Sequence, residues 1–299
     1  MSTGTGMIYN KSEYKIEHFR YSLTIYYRKN LLSLLQMDAM TEVLSNSDEV
    51  EQLILRNTGL TDELLKSLAT VLKRTDFTEL LFGNQLGDLG VKTLLSGLAE
   101  LQDKTAVLHG NSEQIHFSPV NIVIKELDLG GNGIGSDGLR VLATFMRYHS
   151  HLQYLGLAQT PCSDMEAWTV LFESLKVNTA LTHIILDESN LGDNGIKLFA
   201  EALRSNKTLR KVDLDNNGFG EVGEQYLLEA LRSGGKCSLE HLSLEGNYIS
   251  IALMVNIQQE LESNRPACNL RNTIYWMICK ISCTWRPGIQ FLIRICLNN

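Results

Sequence analysis

Between residues 50 and 264, short runs of alternating apolar residues repeatedly give way to longer runs with helical spacing. In IKELDL, from Ile124, the apolar Leu127 and Leu129 lie two residues apart, the period of a half-buried strand. In GIKLFAEALRSN, from Gly195, the residues Ile196, Phe199, Ala202 and Leu203 share one face of a helix. The same progression of strand, turn and helix starts at Val50, Phe77, Ile124, Leu152, Leu181, Leu209 and Leu239. One reference position, occupied by Leu127, Leu155, Ile184, Val212 and Leu242, recurs at steps of 28, 29, 28 and 30 residues. A unit of this size cannot bury its own apolar face and has to stack on its neighbours.

The spacing predicts parallel strands near 52–55, 79–82, 125–129, 153–157, 182–186, 210–214 and 240–244, each followed by an outer helix. Leu127, Leu129, Ile184, Leu186, Val212, Leu214, Leu242 and Leu244 are the expected core, because alternate strand residues face inward. Asn132, Asn217 and Asn247 stand just before the turns, where a buried loop needs partners for its amides. Gly133, Gly135 and Gly138 in GNGIGSDG also satisfy G-x-G-x-x-G, a dinucleotide-binding pattern. A G-x-x-G step recurs, however, at Gly87/Gly90, Gly192/Gly195 and Gly220/Gly223. A phosphate loop is needed once per site, whereas a sharp strand-to-helix turn is needed in every unit. These glycines are therefore assigned to turns, where positive φ or close approach is expected.

The segments approximate L-x-x-L-x-L-x-x-N-x-L, the leucine-rich repeat signature. With the G-D-x-G continuation and a long helix, as in GIKLFAEALRSNKTL, residues 50–264 resemble the ribonuclease-inhibitor-like subclass. That subclass includes ribonuclease inhibitor, the Ran GTPase-activating proteins and the repeat domains of NOD-like receptors. The resemblance implies an α/β fold, a curved leucine-rich repeat solenoid of about seven repeats with parallel inner strands and outer helices. Departures from the pattern are also visible. The cysteine content is low for ribonuclease inhibitor, and the acidic tail of the Ran-directed activators is missing. No nucleotide-binding or death-fold domain is expected in residues 1–49, as an intact NOD-like receptor would require. Repeat two reads as one residue short before its Asn, repeat four (TPCSDMEAW) lacks both Asn and G-x-x-G, and residues 102–123 break the period as an insertion.

The flanks read differently. Residues 1–49 are expected to be an N-terminal segment whose run LLSLLQMDAMTEVL forms a capping helix. Residues 265–299 hold Arg265, Arg271, Lys280, Arg286 and Arg294, no acidic residue, and four of the six cysteines. With a net charge of −7 overall, the tail stands at +5 and the body at −12. This basic, Cys-rich segment is foreign to the repeat design, and reads as a variant terminus or, alternatively, an interfacial membrane contact. No run suits a secretory signal or a spanning helix, so a cytoplasmic location, with a nuclear one open beside it, is the expectation. Asn10-Lys11-Ser12 and Asn206-Lys207-Thr208 match the glycosylation acceptor pattern, which carries little weight without secretion.

The acidic balance argues against nucleic acid as partner. No G-x-S-x-G, H-E-x-x-H or G-x-x-x-x-G-K-[ST] occurs, and His149 and His151 lack a third ligand. No catalytic residue, cofactor or metal is expected. The expected function is protein recognition on the concave face, with a GTPase-activating role and a membrane-peripheral adaptor as alternatives. Strand residues between the core positions give Ile54 and Arg56, Leu81 and Gly83, Asp128 and Gly130, Gly156 and Ala158, Ile185 and Asp187, Asp213 and Asp215, and Ser243 and Glu245. The expected partner-binding residues are Asp128, Tyr154, His183, Asp187, Glu188, Asp213, Asp215, His241 and Glu245, facing a protein with a basic segment. Placing Leu214 in the core has a direct consequence. Leu214→Ala should destabilise the protein by about 2–5 kcal/mol, read as a lowered urea midpoint; an unchanged midpoint would mean the register is wrong.

Overall fold

The computed structural model describes residues 14–19, 22–28, 33–46, 50–61, 63–65, 78–96, 124–148, 151–233 and 238–264. Nine strands form one open sheet in chain order: β1 (Tyr14–Phe19), β2 (Ser22–Arg28), β3 (Val50–Arg56), β4 (Thr78–Leu80), β5 (Glu126–Asp128), β6 (Tyr154–Gly156), β7 (His183–Ile185), β8 (Lys211–Asp213) and β9 (His241–Ser243). β1 pairs antiparallel with β2, and every later pairing is parallel. The helices Ser136–Tyr148, Met165–Val177, Gly192–Ser205, Glu221–Ser233 and Ile251–Asn264 each follow a strand, and each of the first four packs on the next in line. A helix is ~10 Å across and a strand ~4.8 Å, so such a stack bends with its strands inside. The chain is the expected α/β solenoid.

The predicted core holds. Leu127, Leu129, Ile184, Leu186, Val212, Leu214 and Leu244 are buried, while Leu242 in the last strand is partly buried. Between the coils of β6 and β7, Trp168 stacks on Phe172 with ring centroids 5.6 Å apart, and Phe172 meets Phe199 edge-on at 5.4 Å. Trp168 Nε1 donates to Cys162 O at 2.9 Å, so the indole enters the core without an orphaned donor.

Two expectations about the early repeats need correction. Strand β2 and helix Leu34–Asn46 form a coil of their own before β3, with Ile25 in register with Leu53 and Tyr27 with Leu55. The 28-residue step therefore begins at Ile25, and Met37 of that helix is fully buried in the common core. The helix falls on the expected run, but it is the outer helix of a further coil, flanked by the β1–β2 hairpin. Repeat two is not a residue short. Glu79 aligns with both Leu53 and Leu127, so Leu81 takes the position of Leu129 and is fully buried rather than concave. The insertion at 102–123 and the tail at 265–299 lie outside the described residues.

What joins the coils is a buried polar ladder behind the strands. Asn84, Asn132, Asn217 and Asn247 stand at one position, taken by Thr58, Thr160 and Ser189 in the other coils. Asn217 Nδ2 donates to Leu186 O at 2.9 Å in the preceding coil and to Asp215 O at 3.2 Å in its own. Its Oδ1 accepts from Ser189 N at 3.2 Å and Leu191 N at 3.3 Å. Asn84 repeats the pattern toward Thr58 N, Leu60 N, Leu55 O and Leu81 O. Around Thr160 the ladder thins: Asn132 Oδ1 and Thr160 Oγ1 find no partner among the described residues. A second ladder runs behind the helices. Asn178 Nδ2 donates to Met146 O, and Asn206 Nδ2 to Leu175 O at 2.7 Å, while both Oδ1 atoms accept backbone amides. Asn206 is buried and fully engaged, which closes its N-x-T pattern to glycosylation in the folded chain.

The turn glycines of the G-x-x-G step divide the two expected tasks. Gly87 (φ 56°) and Gly192 (φ 57°) take positive φ, which also recurs ahead of the step at Asn57, Gly83, Gly131, Gln159, Glu188, Asn216 and Gly246. Gly138 instead serves close approach. A Cβ there would lie 2.6 Å from Asp88 Oδ1 and 2.7 Å from Ile134 Cγ2, and Asp88 Oδ1 accepts Gly135 N at 2.6 Å. Asp88 of one coil thus caps the helix start of the next, as Asp193 does for Gly220 N and Gly223 N at 2.9 Å. Removing one rung tests the ladder. Asn217→Ala strands Ser189 N, Leu191 N and Leu186 O in a buried turn and should cost about 2–4 kcal/mol in urea denaturation, more than a solvent-facing Asn could.

Candidate functional site

The parallel register lays the strand positions out in three rows across the sheet. The first runs Gln52, Thr78, Glu126, Tyr154, His183, Lys211, His241, and the second Ile54, Leu80, Asp128, Gly156, Ile185, Asp213, Ser243. The third continues the ladder past the strand ends, through Arg56, Phe82, Gly130, Ala158, Asp187, Asp215 and Glu245. Leu157 N bonds Ile185 O at 2.8 Å and Leu186 N bonds Asp213 O at 2.9 Å, which holds this row in step.

The two halves of this face differ in chemistry. In the early half, Arg56 lies over the Phe82 ring, 5.7 Å from its centroid, and its Nη2 reaches Asp128 Oδ2 at 3.3 Å. The Asp128 carboxyl is buried and accepts Gly130 N at 3.1 Å. Burial raises its pKa, opposed by that amide and by Arg56. Gly156 is what lets Asp128 lie across the sheet, since a Cβ there would press into Asp128 Oδ1. Asp128 is thus matched by a cation and stands apart from the other acids.

In the later half the acids gather. Asp187 Oδ1 accepts Asp215 N at 3.1 Å, and Asp215 Oδ1 accepts Glu245 N at 2.6 Å, so each carboxylate holds the next coil's turn. Burial pushes the Asp187 carboxyl up to about 6, reinforced by Asp215, Asp213 and Glu188 and opposed by the Asp215 amide. Asp215 is raised in the same way, by burial first. Glu188, at φ 53°, is exposed and accepts Gln159 Nε2 at 3.0 Å. Asp213 lies between two imidazoles, with His241 Nε2 3.6 Å from Oδ1 and His183 Nε2 3.8 Å from Oδ2. These pairs form only when the imidazoles are protonated. Tyr154 meets the His183 ring edge-on at 4.9 Å, joining the two halves, and burial raises its hydroxyl pKa above the ordinary range.

Eight of the nine expected residues therefore lie together on β6 to β9 and the turns that follow them, and Asp128 belongs to the Arg56 pair. Sequence reasoning missed Phe82, hidden by the misread register of repeat two, and Lys211, an exposed cation set between His183 and His241 in the first row. Two of the expected acids, Asp187 and Asp215, also bond neighbouring backbone, which the residue pattern alone did not indicate. Among the described residues no helix is long and apolar enough to cross a membrane.

Comparison with known proteins agrees with the repeat assignment. The family model described as Leucine Rich repeat matches residues 120–143. The chain is 30% identical over 174 residues to NACHT, LRR and PYD domains-containing protein 3 of Rattus norvegicus, covering 51% of this chain and 16% of that protein. To NACHT, LRR and PYD domains-containing protein 12 of Homo sapiens it is 32% identical over 133 residues, covering 40% and 12%. The chain thus spans about a sixth or less of the length of these relatives. Among solved structures, the leiomodin-1 actin-binding site 2 aligns with TM-score 0.42 and 17% identity, over 53% of this chain and 89% of that one. An internalin from Listeria monocytogenes aligns with TM-score 0.39 and 18% identity, over 77% and 56%.

The raised carboxyl of Asp187 has a consequence for stability. Its folded value of about 6 lies above the ordinary 3.8, so the fold favours the protonated form. Its contribution is greatest below about pH 4 and declines as pH rises toward 6. Asp187→Asn should flatten that decline, read from urea midpoints at several pH values across the interval; an unchanged slope would place the titration elsewhere.

Proposed function

We propose that this leucine-rich repeat protein is a recognition module that binds a protein partner on its concave face, through a basic segment of that partner. The observation that carries this reading is the group Asp187, Glu188, Asp213, Asp215 and Glu245 on three neighbouring coils. Carboxylates at adjacent strand spacing repel, and that repulsion adds to burial in raising the Asp187 and Asp215 pKa values. A cationic side chain entering the group relieves it. Tyr154 and His183, packed edge to face, form an aromatic wall beside the acids on which an arginine or lysine stem can rest. The field of such a patch speeds encounter with a basic partner and weakens as salt is added.

The test is the triple variant Asp187→Asn, Asp213→Asn, Asp215→Asn. Asparagine keeps an Oδ1 acceptor for the Asp215 and Glu245 amides, so the fold is retained. With a fluorescent Lys/Arg-rich peptide as probe, the variant should bind about tenfold more weakly and with a flatter salt dependence. Binding that ignores both salt and the triple change would remove the concave acidic face as the site.

A further inference from the structure

The last described coil, residues 239–264, leaves open the positions that the inner coils bury. Met254 stands twelve residues after Leu242, the spacing that separates Leu127 from Leu139, Ile184 from Ile196, and Val212 from Glu224. Those three partners are fully buried, whereas Met254 is 43% exposed. Leu242 and Ile249 are only partly buried where Val212 and Phe219 are fully so. Around them Tyr248 is 79%, Ile251 71% and Val255 47% exposed. Ile251, Met254 and Val255 are spaced i, i+3, i+4 and so form one stripe along the helix Ile251–Asn264. Such an apolar end face, beside the outermost strand of the sheet, requires a cover.

We propose that residues 265–299 of the same chain are that cover, packed on the end face where an inner coil would have its successor. The segment starts directly after the terminal helix, and its 35 residues exceed the 28–30 of one coil. Tethering at Asn264 gives it a high effective concentration at this face, which a free partner lacks. Its apolar residues, among them Ile274, Trp276, Ile278, Trp285, Phe291 and Ile293, supply what the stripe needs to bury. The charges match as well. Residues 239–264 hold Glu240, Glu245, Glu260 and Glu262 and no Lys or Arg, with Glu240 and Glu260 pairing back to Arg210 and Arg232, whereas residues 265–299 hold five basic residues and no acidic one.

The experiment uses the full chain carrying the photo-crosslinking residue p-benzoyl-phenylalanine in place of Met254 and, in a second variant, of Val255. Both positions are exposed on the described helix, and circular dichroism checks that each variant folds. Irradiation should give a cross-linked species of monomer mass, in which digestion and mass spectrometry find the residue joined to a peptide from 265–299. A cross-linked dimer would identify a second copy as the occupant and overturn the proposal. Links confined to the solenoid body, or none to the tail from either position, would overturn it equally. The concave triple variant leaves this result untouched.

Discussion

A peptide group that is turned away from water must find a partner, and in this chain the partner of each buried turn lies in the next coil. The strands are only three residues long over most of the sheet, too short to fix anything alone. Their hydrogen-bond ladder continues through the turns, and the inner Asn, Ser and Thr positions stitch one turn to the next. Packing of leucines supplies cohesion, but it is direction-free. The ladder sets the register, and the register decides which side chains reach the concave face.

That dependence explains how much of the molecule was legible in the sequence. Leucine spacing is a property of side chains, so the solenoid, its period and most of its core could be read directly. Coil boundaries failed where a different residue holds the leucine position. Ile25 and Tyr27 conceal a coil, and Glu79 in repeat two shifts the reading so that Leu81 looks solvent-facing. The polar ladder corrects both. Asn84 pairs with Leu55 O and Leu81 O just as Asn217 pairs with its own coil and the one before it. Asn30, outside the described residues, stands five residues after Ile25, the step from Leu127 to Asn132. In such a chain a polar residue in the turn is a better register mark than the apolar residue in the strand.

The candidate site was legible as a set of residues and illegible as an arrangement. Its composition follows from alternation, so eight of the nine residues fell where expected. The double duty of Asp187 and Asp215 depends on where the amides of the following coil point, which no side-chain pattern encodes. The same holds for Asp128, whose burial over Gly156 and pairing with Arg56 reach across four strands. Charge on this face is therefore partly architectural. What remains for a partner is the portion that neighbouring backbone and cations have not already satisfied.

A solenoid of this kind behaves as a one-dimensional chain of units, each coupled only to its neighbours, so one weak coupling sets the length over which unfolding is concerted. The joint at Asn132 and Thr160 leaves an amide oxygen and a hydroxyl unpartnered among the described residues, and is held instead by Arg140 on Asp164 at 2.7 Å and Asn178 Nδ2 on Met146 O at 2.8 Å. On its C-terminal side the contacts among Trp168, Phe172 and Phe199 and the rungs at Ser189 and Asn217 join the coils of β6, β7 and β8 into one block. The acidic surface sits almost wholly on that block. Because coupling runs only between neighbours, the geometry of the charged surface is inherited from that block and not from the distant ends of the solenoid.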